Sequence, residues 1–416
     1  MDIENNALLD CDDRVVELRS SNILFLRQKN GGQRQFDRFI GKLKIDREST
    51  LNFQRNIELN SEFSKQNNIP YIHIIYPAKP IALRKILWAA NVNVSSIVTE
   101  DHITKEVIYP LETVSEAQYY QKQGTHNTDL GYVRIIQAIF KSLDVKLPSL
   151  TPIVEKRLLK TDLAIMKGYG LVEEEVITGF EELLPHRRFF SNANALEGNS
   201  GHIEYYFNGN SLFKKRLLLF GDSFFRGSLH LLSHLFEEVI YLRCPYIIKD
   251  VADNLSPDYI WTGNAERYLV NVPDGSVNAP YFLNYFSPKF HPKKLGAEVK
   301  QVFNLLFSGR DNPKYKRWRE QLTVKIPKAK LSEKGLMSIG PEDIKGKADI
   351  DFCRDTALRM EEKNFRCAIH LMRLSHGARP KGEFIQNKLE EYETKFSALT
   401  GGRSAYVRQD RVNLSS

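Results

Sequence analysis

The chain has 416 residues, with 59 lysines and arginines against 51 aspartates and glutamates, a formal net charge of +8 and 42% hydrophobic residues. The length exceeds what one core of ordinary size holds, so a large α/β domain followed by an accessory domain is expected. No stretch approaches the roughly 20 apolar residues of a membrane-spanning helix, and the start, MDIENNALLDCDD, lacks the pattern of a secretory leader, so a cytoplasmic protein is expected.

Cys11, Cys244, Cys353 and Cys367 have neither disulfide-framework nor zinc-knuckle spacing, and their thiols are expected to be reduced. The positive charge favours a polyanionic partner such as an acidic glycan, nucleic acid or anionic lipid, without choosing among them.

Along the chain, Phe53 with Ile57 and Leu59 with Phe63 are i,i+4 apolar pairs that predict a helix over residues 50–67. The buried strand IHIIY follows and ends at Pro77. Lys79 lies just beyond, at the carboxyl rim where α/β sheets bind ligands, and is read as a substrate-binding residue for an acidic substrate, with a solvated rim lysine as the alternative. The run GTHNTDLG precedes a second helix, whose apolar face is Tyr132, Ile135, Ile136, Ile139, Phe140 and Leu143. Residues 144–211 carry no clear period, and SNANALEGNSGH, near 191–202, is expected to be a loop.

The next segment, KKRLLLFGDSFFRGSLHLLSHLFEEVIYLR, reads as a buried strand from Leu217 to Phe220, a tight turn, an amphipathic helix and another strand. A further strand, Tyr259 to Trp261, implies a parallel sheet wound by helices. Arg310, Lys314, Lys316, Arg317, Arg319, Lys325, Lys328, Lys330 and Lys334 make a basic segment, expected as a linker over 309–348. From Asp349 a helical pattern returns. Phe365, Ala368 and Pro380 fall where one tetratricopeptide-like hairpin places an aromatic, a small residue and a terminating proline. The expected organisation is a catalytic domain over 1–308 and a helical domain over 349–416.

The chemistry concentrates at Gly221-Asp222-Ser223. A serine placed directly after a buried strand, at the start of a helix, presents its hydroxyl at the sheet edge and turns backbone N–H groups toward a developing oxyanion. Such a hydroxyl needs a histidine base within hydrogen-bond reach and a third group to orient that base. The chain offers His126 in GTHNTDLG and His291 in FHPKKLGAE. Oxyanion donors are sought in the Ser223 N–H, in Asn264 of TGNAER and in Arg243 at the end of VIYLR. Asn264 also reads as a turn residue, and Arg243 as the partner of a surface acid. Glu266 and Arg267 read as a local ion pair. Walker, GxGxxG, HExxH and metal-ligand patterns are absent, and KYKRWR at 314–319 accompanies no recognised nucleic-acid fold.

Four motifs in order carry a resemblance. GDSF after an apolar strand is similar to the first block of the SGNH (GDSL-type) hydrolases. The order YPAKP, QKQGTHNTDLG, GDSF and PDYIWTGNAERYL resembles the alginate O-acetyltransferase branch of that superfamily over roughly residues 20–305.

The resemblance implies a flavodoxin-like SGNH sheet, Ser223 as nucleophile, His126 as its base, and acetyl transfer to or from a sugar hydroxyl through an acetyl-serine. It also implies an acid two residues before the histidine, where this chain has Gly124, and a tryptophan where it has Asn127. Asp222, Asp129 and Asp101 are the candidate replacements for that acid; a Ser-His dyad and a decayed site stay open beside a relocated acid. His291 matches the HPxxxG histidine block of ordinary SGNH hydrolases, but Pro288 stands where the aspartate belongs. The expected function is O-acetylation of a cell-surface or capsular polysaccharide with acetyl-CoA as soluble donor and no metal. A carbohydrate esterase and a non-catalytic glycan-binding or assembly protein are the alternatives. The linker and C-terminal helices are expected to contact a membrane surface or a biosynthetic complex.

Overall fold

The computed structural model describes residues 6, 8–30, 33–41, 45–183, 187–199, 201–277, 291, 294–306, 336–337, 339–344 and 346–399. By internal contacts the chain divides into two units, Met1–Leu322 and Thr323–Ser416. The basic segment expected as a linker lies, up to residue 335 and with KYKRWR inside it, outside the described residues. No helix among the described residues is long and apolar enough to cross a membrane.

The first unit opens with an antiparallel meander of β1 (Leu9–Cys11), β2 (Val15–Leu18) and β3 (Ile23–Leu26). A small ladder, β4 (Lys29–Asn30) with β5 (Gln33–Arg34), leads into α1 (Gln35–Phe39). Helix α2 (Arg47–Gln66) starts at Asp46, whose side chain accepts from the Glu48 N–H, and buries Phe53, Ile57 and Phe63. Then come β6 (Tyr71–Tyr76), α3 (Lys79–Ala82), α4 (Arg84–Ala89), β7 (Val107–Ile108) and α5 (Asp129–Ser142). An antiparallel ribbon of β8 (Pro152–Leu159) and β9 (Val172–Phe180) carries α6 (Asp162–Lys167) in its connection. The remaining elements are β10 (Arg188–Ser191), β11 (Ile203–Phe207), β12 (Phe213–Gly221), α7 (Ser223–Leu235), β13 (Phe236–Leu242), α8 (Lys249–Leu255), β14 (Tyr259–Ala265) and α9 (Ala297–Leu306).

Seven strands form the central sheet in the order β10-β11-β13-β12-β14-β6-β7. From β13 to β7 every pairing is parallel. The continuous apolar run of β12 follows from cover on both faces. Leu217 and Leu219 pack into one core cluster with Phe224, Phe225 and Trp261, while Leu218 and Phe220 pack into another with Ile240, Leu242 and Ile260. Each such fully buried side chain contributes roughly 1.5–3 kcal/mol.

The expectation of a wholly parallel sheet is corrected at one edge, where β10 and β11 pair antiparallel with each other and β11 pairs antiparallel with β13. The segment expected as a loop near 191–202 is the tight connection of this hairpin. Buried Asn192 holds it closed, donating to the Gly201 carbonyl and accepting from the Ile203 N–H.

The second unit is helical: α10 (Lys347–Met360), α11 (Phe365–Ala378) and α12 (Glu383–Leu399) enclose Cys353, Ala357, Cys367, Ala368, Leu371, Met372 and Tyr392. Phe365 meets Tyr392 edge-on at 5.2 Å between ring centroids, Ala368 is fully buried, and Pro380 follows the end of α11.

Candidate active site

Strand β12 ends at Gly221 and helix α7 begins at Ser223, so the chain reverses character within one residue. A Cβ at Gly221 would run into the Gly263 carbonyl and the Phe225 ring, which is why the turn needs glycine. Asp222 caps α7: one carboxylate oxygen accepts from the Phe224 N–H at 2.9 Å and the other from the Ala265 N–H at 2.8 Å. The Tyr241 hydroxyl donates to the Asp222 carbonyl at 2.8 Å from below. Ser223 is thereby fixed at the carboxyl end of the sheet with the positive end of a 13-residue helix behind its N–H.

His126 comes from a turn closed by pairing of Tyr120 with Asn127. Its Nε2 lies 2.9 Å from Ser223 Oγ, and its ring packs against Phe224 at 4.9 Å between centroids. On the other side of the imidazole, Nδ1 faces Asp162 Oδ2 at 4.0 Å. Asp162 is held by Thr125, the residue beside the histidine, whose N–H donates to Oδ1 at 2.9 Å and whose hydroxyl donates to Oδ2.

Burial lowers the His126 pKa below the usual imidazole value of 6.5. Asp162 pulls it back up, and the charge of Arg267 lowers it further. The imidazole is therefore neutral at neutral pH, the state in which it accepts the serine proton. We expect the acid limb of kcat/KM to fall at a pH below 6.5, read from a pH–rate profile on a neutral ester; a limb above that value would contradict a buried base.

The proposed acids are placed elsewhere. Asp222 is occupied as the helix cap. Asp129, in the first turn of α5, accepts from the Ile177 N–H at 2.7 Å and lies 3.1 Å from His230 Nε2. Asp101 is exposed, its backbone carbonyl accepting from Gln54. The acid that faces the base is Asp162, 37 residues beyond Thr125, and no spacing rule joined it to the histidine motif. Its one local signal is the Thr161-Asp162 start of a short helix.

The rival base, His291, is half exposed and pairs with Glu197 at 2.9 Å, and the described residues place only His126 on the serine hydroxyl. Asn264 donates to the neighbouring Ala265 carbonyl at 3.0 Å, which takes one of its two amide donors away from an oxyanion. Arg243 is half buried, and its charge is one of the smaller influences that lower the His126 pKa.

Lys79 is not at a solvated rim: it is 4% exposed and its Nζ lies within hydrogen-bond distance of four backbone carbonyls. Nor do Glu266 and Arg267 form an ion pair among the described residues. Glu266 is buried and accepts from Ala78, Ser96, Ile97 and Tyr109, while Arg267 lies over the Phe224 ring at 5.2 Å. Arg267 Nε is buried without a hydrogen-bond partner among the described residues. A separate groove, lined by Asn67, Pro70, Lys215 and Tyr259, opens at the amino ends of β6, β12 and β14, the far end of the sheet from Ser223.

No protein-family model matches the chain. No curated protein matches it either. Among solved structures, the chain is similar to a DHHW family protein from Eubacterium siraeum at 11% identity and TM-score 0.42, covering 65% of this chain and 96% of that one. It is similar to Bacillus cereus PatB1 at 15% identity and TM-score 0.41, covering 63% and 95%. The O-acetyltransferase domain of Pseudomonas putida AlgJ is similar at 14% identity and TM-score 0.37, covering 65% and 98%.

Proposed function

We propose that the chain is a serine O-acyltransferase of SGNH type that moves acetyl from acetyl-CoA, in the cytoplasm, to a hydroxyl of an acidic cell-surface or capsular polysaccharide. The observation that carries this reading is the 2.9 Å approach of His126 Nε2 to Ser223 Oγ on a strand-to-helix turn. In the first half-reaction Ser223 Oγ attacks the thioester carbonyl as its proton passes to His126 Nε2. The oxyanion meets the Ser223 N–H, and the C–S bond breaks as the imidazolium returns the proton to the departing thiolate. In the second half-reaction a sugar hydroxyl gives its proton to His126 and attacks the acetyl carbonyl; the Ser223 C–O bond breaks and Oγ regains the proton. Asp162 stabilises the imidazolium in both halves.

The guanidinium of Arg267, stacked on Phe224 beside the dyad, and that of Arg243 suit a carboxylate on the acceptor, since an arginine fork matches that geometry. Arg267→Gln is expected to raise KM for an acidic acceptor by roughly 10–100-fold, the worth of a hydrogen bond to a charged group, while hydrolysis of a neutral acetyl ester changes little. Equal losses on both substrates would count against this subsite. The C-terminal helices are proposed, as one tetratricopeptide-like hairpin, to dock the enzyme on its biosynthetic complex.

The deciding experiment incubates the protein with acetyl-CoA and candidate polysaccharides and follows acetyl-glycan and free acetate. Acetyl-glycan formation supports transfer. Acetate alone converts the reading to an esterase, and glycan binding without either product replaces it with a binding protein.

A further inference from the structure

Lys79 was read from sequence as a substrate ligand, yet its Nζ is an interior group surrounded by backbone carbonyls. Nζ lies 2.6 Å from the carbonyl oxygen of Gln121, 2.8 Å from that of Leu24, 2.9 Å from that of Lys122 and 3.0 Å from that of Gly124, so the three N–H groups of its ammonium are shared among four acceptors. Three of those four acceptors belong to the turn that ends in His126. No carboxylate forms an ion pair with Lys79 among the described residues. Burial pushes its pKa down to about 7, while the more distant carboxylates of Asp162 and Glu174 pull it back up; the carbonyl dipoles and the Phe25 ring at 5.5 Å favour the charged form.

The rest of the turn is fixed in the same way. The Lys122 carbonyl also accepts from the Leu24 N–H, the Gln123 carbonyl from the Ala164 N–H, and the His126 carbonyl from the Gln121 N–H. Carbonyls at 121, 122 and 124 thus converge on one point, an arrangement in which their dipoles repel unless a cation occupies the centre. The turn has no apolar core of its own to replace it: Gln121 and Gln123 are half buried and Lys122 is exposed.

We propose that Lys79 is a positioning residue: its ammonium organises the Gln121–Gly124 turn and thereby sets the His126 imidazole on Ser223. Lys79 opens α3 just past β6, with the intervening Ala78 tied to buried Glu266 and the Pro77 carbonyl accepting from the Tyr120 hydroxyl, so its amino group is delivered from the rigid end of the sheet. Through Leu24 the same ammonium fastens the amino-terminal meander to the turn. The arrangement transmits the sheet's rigidity to a base that lies on no helix or strand of its own.

The proposal is tested on the full chain with Lys79→Met, by hydrogen exchange and by steady-state hydrolysis of a neutral acetyl ester. The expected result is faster amide exchange over residues 121–128 with β12, β14 and α7 unchanged, and a kcat lowered by on the order of 100-fold at unaltered KM, the cost of a base displaced by about an ångström. Lys79→Arg, which keeps charge and donors, is expected to recover part of the rate. A folded Lys79→Met with wild-type exchange in the turn and wild-type kcat overturns the proposal, as does a loss of protection spread evenly over the first unit. If Lys79→Met does not fold, Lys79→Gln, which keeps two N–H donors without the charge, is read by the same two outcomes. The kcat readout rests on the acyl-transfer reading and the exchange readout does not, so failure of one is told from failure of the other.

Discussion

Ser223→Ala is expected to lower kcat for acetyl transfer by on the order of a millionfold, the scale of loss when the nucleophile of a serine-histidine unit is removed. The size follows from the mechanism. Without Oγ there is no covalent intermediate, and only the helix N-terminus and substrate binding remain to favour direct attack. Folding is expected to be unaffected, because the hydroxyl's hydrogen bond in the described structure is to His126 rather than to the turn. His126→Ala is expected to cost nearly as much, and the double variant little more than either, since the two act as one unit. Mass spectrometry of the protein after brief exposure to acetyl-CoA checks the chemistry directly. Acetyl should appear on the peptide containing Ser223 in the wild type, and a variant lacking Oγ that keeps a tenth of the rate would end the nucleophile assignment.

Asp162→Asn is expected to reduce kcat by roughly 10²–10⁴-fold. Asparagine still accepts from the Thr125 N–H, so the side chain stays in place while its charge is lost. Asp162 raises the His126 pKa, so the same substitution should move the acid limb of the pH–rate profile to lower pH even as the plateau falls. A structural role alone would lower the plateau and leave the limb where it was. Asp129→Asn and Asp101→Asn serve as controls: their carboxylates face Ile177 and His230 in one case and solvent in the other, and kcat should stay within a few-fold of wild type. A loss at Asp129 matching that at Asp162 would reassign the acid.

What was legible in the sequence was local. The LLLF run marks a strand covered on both faces, the glycine that follows marks the turn, and the 3.6-residue period of Tyr132, Ile135, Ile136 and Ile139 marks α5. Those signals suffice to place Ser223 and His126 at the starts of helices or just before them. Asp162 was not legible because it reaches the site on the connection of the β8–β9 ribbon. That ribbon is charged on both strands and exposed along most of β8, so it lacks the apolar alternation by which a half-buried strand declares itself.

Lys79 was placed correctly in the chain and misread in its chemistry. A lysine after a sheet strand is ordinarily solvated. Only the folded turn, with carbonyls arriving from Gln121, Lys122 and Gly124 and from Leu24 far upstream, makes it an interior group. The antiparallel edge of β10 and β11 was hidden for a related reason: hairpin pairing across a turn built on Asn192 and Gly201 leaves no period of its own.

Strand order carries a consequence for how the protein is made. The strand that delivers the nucleophile, β12, and the strand that delivers Lys79, β6, share no ladder; each pairs with β14, which lies between them and is translated after both. Without β14, no ladder among the described residues links the strand that precedes Ser223 to the strand that precedes Lys79. Tyr259–Ala265 joins the two strands, setting Leu217 against Tyr259 and Ile260 against Tyr71. Nascent chains truncated before β14 are therefore expected to lack a reactive serine, as labelling with an active-site acylating probe would show.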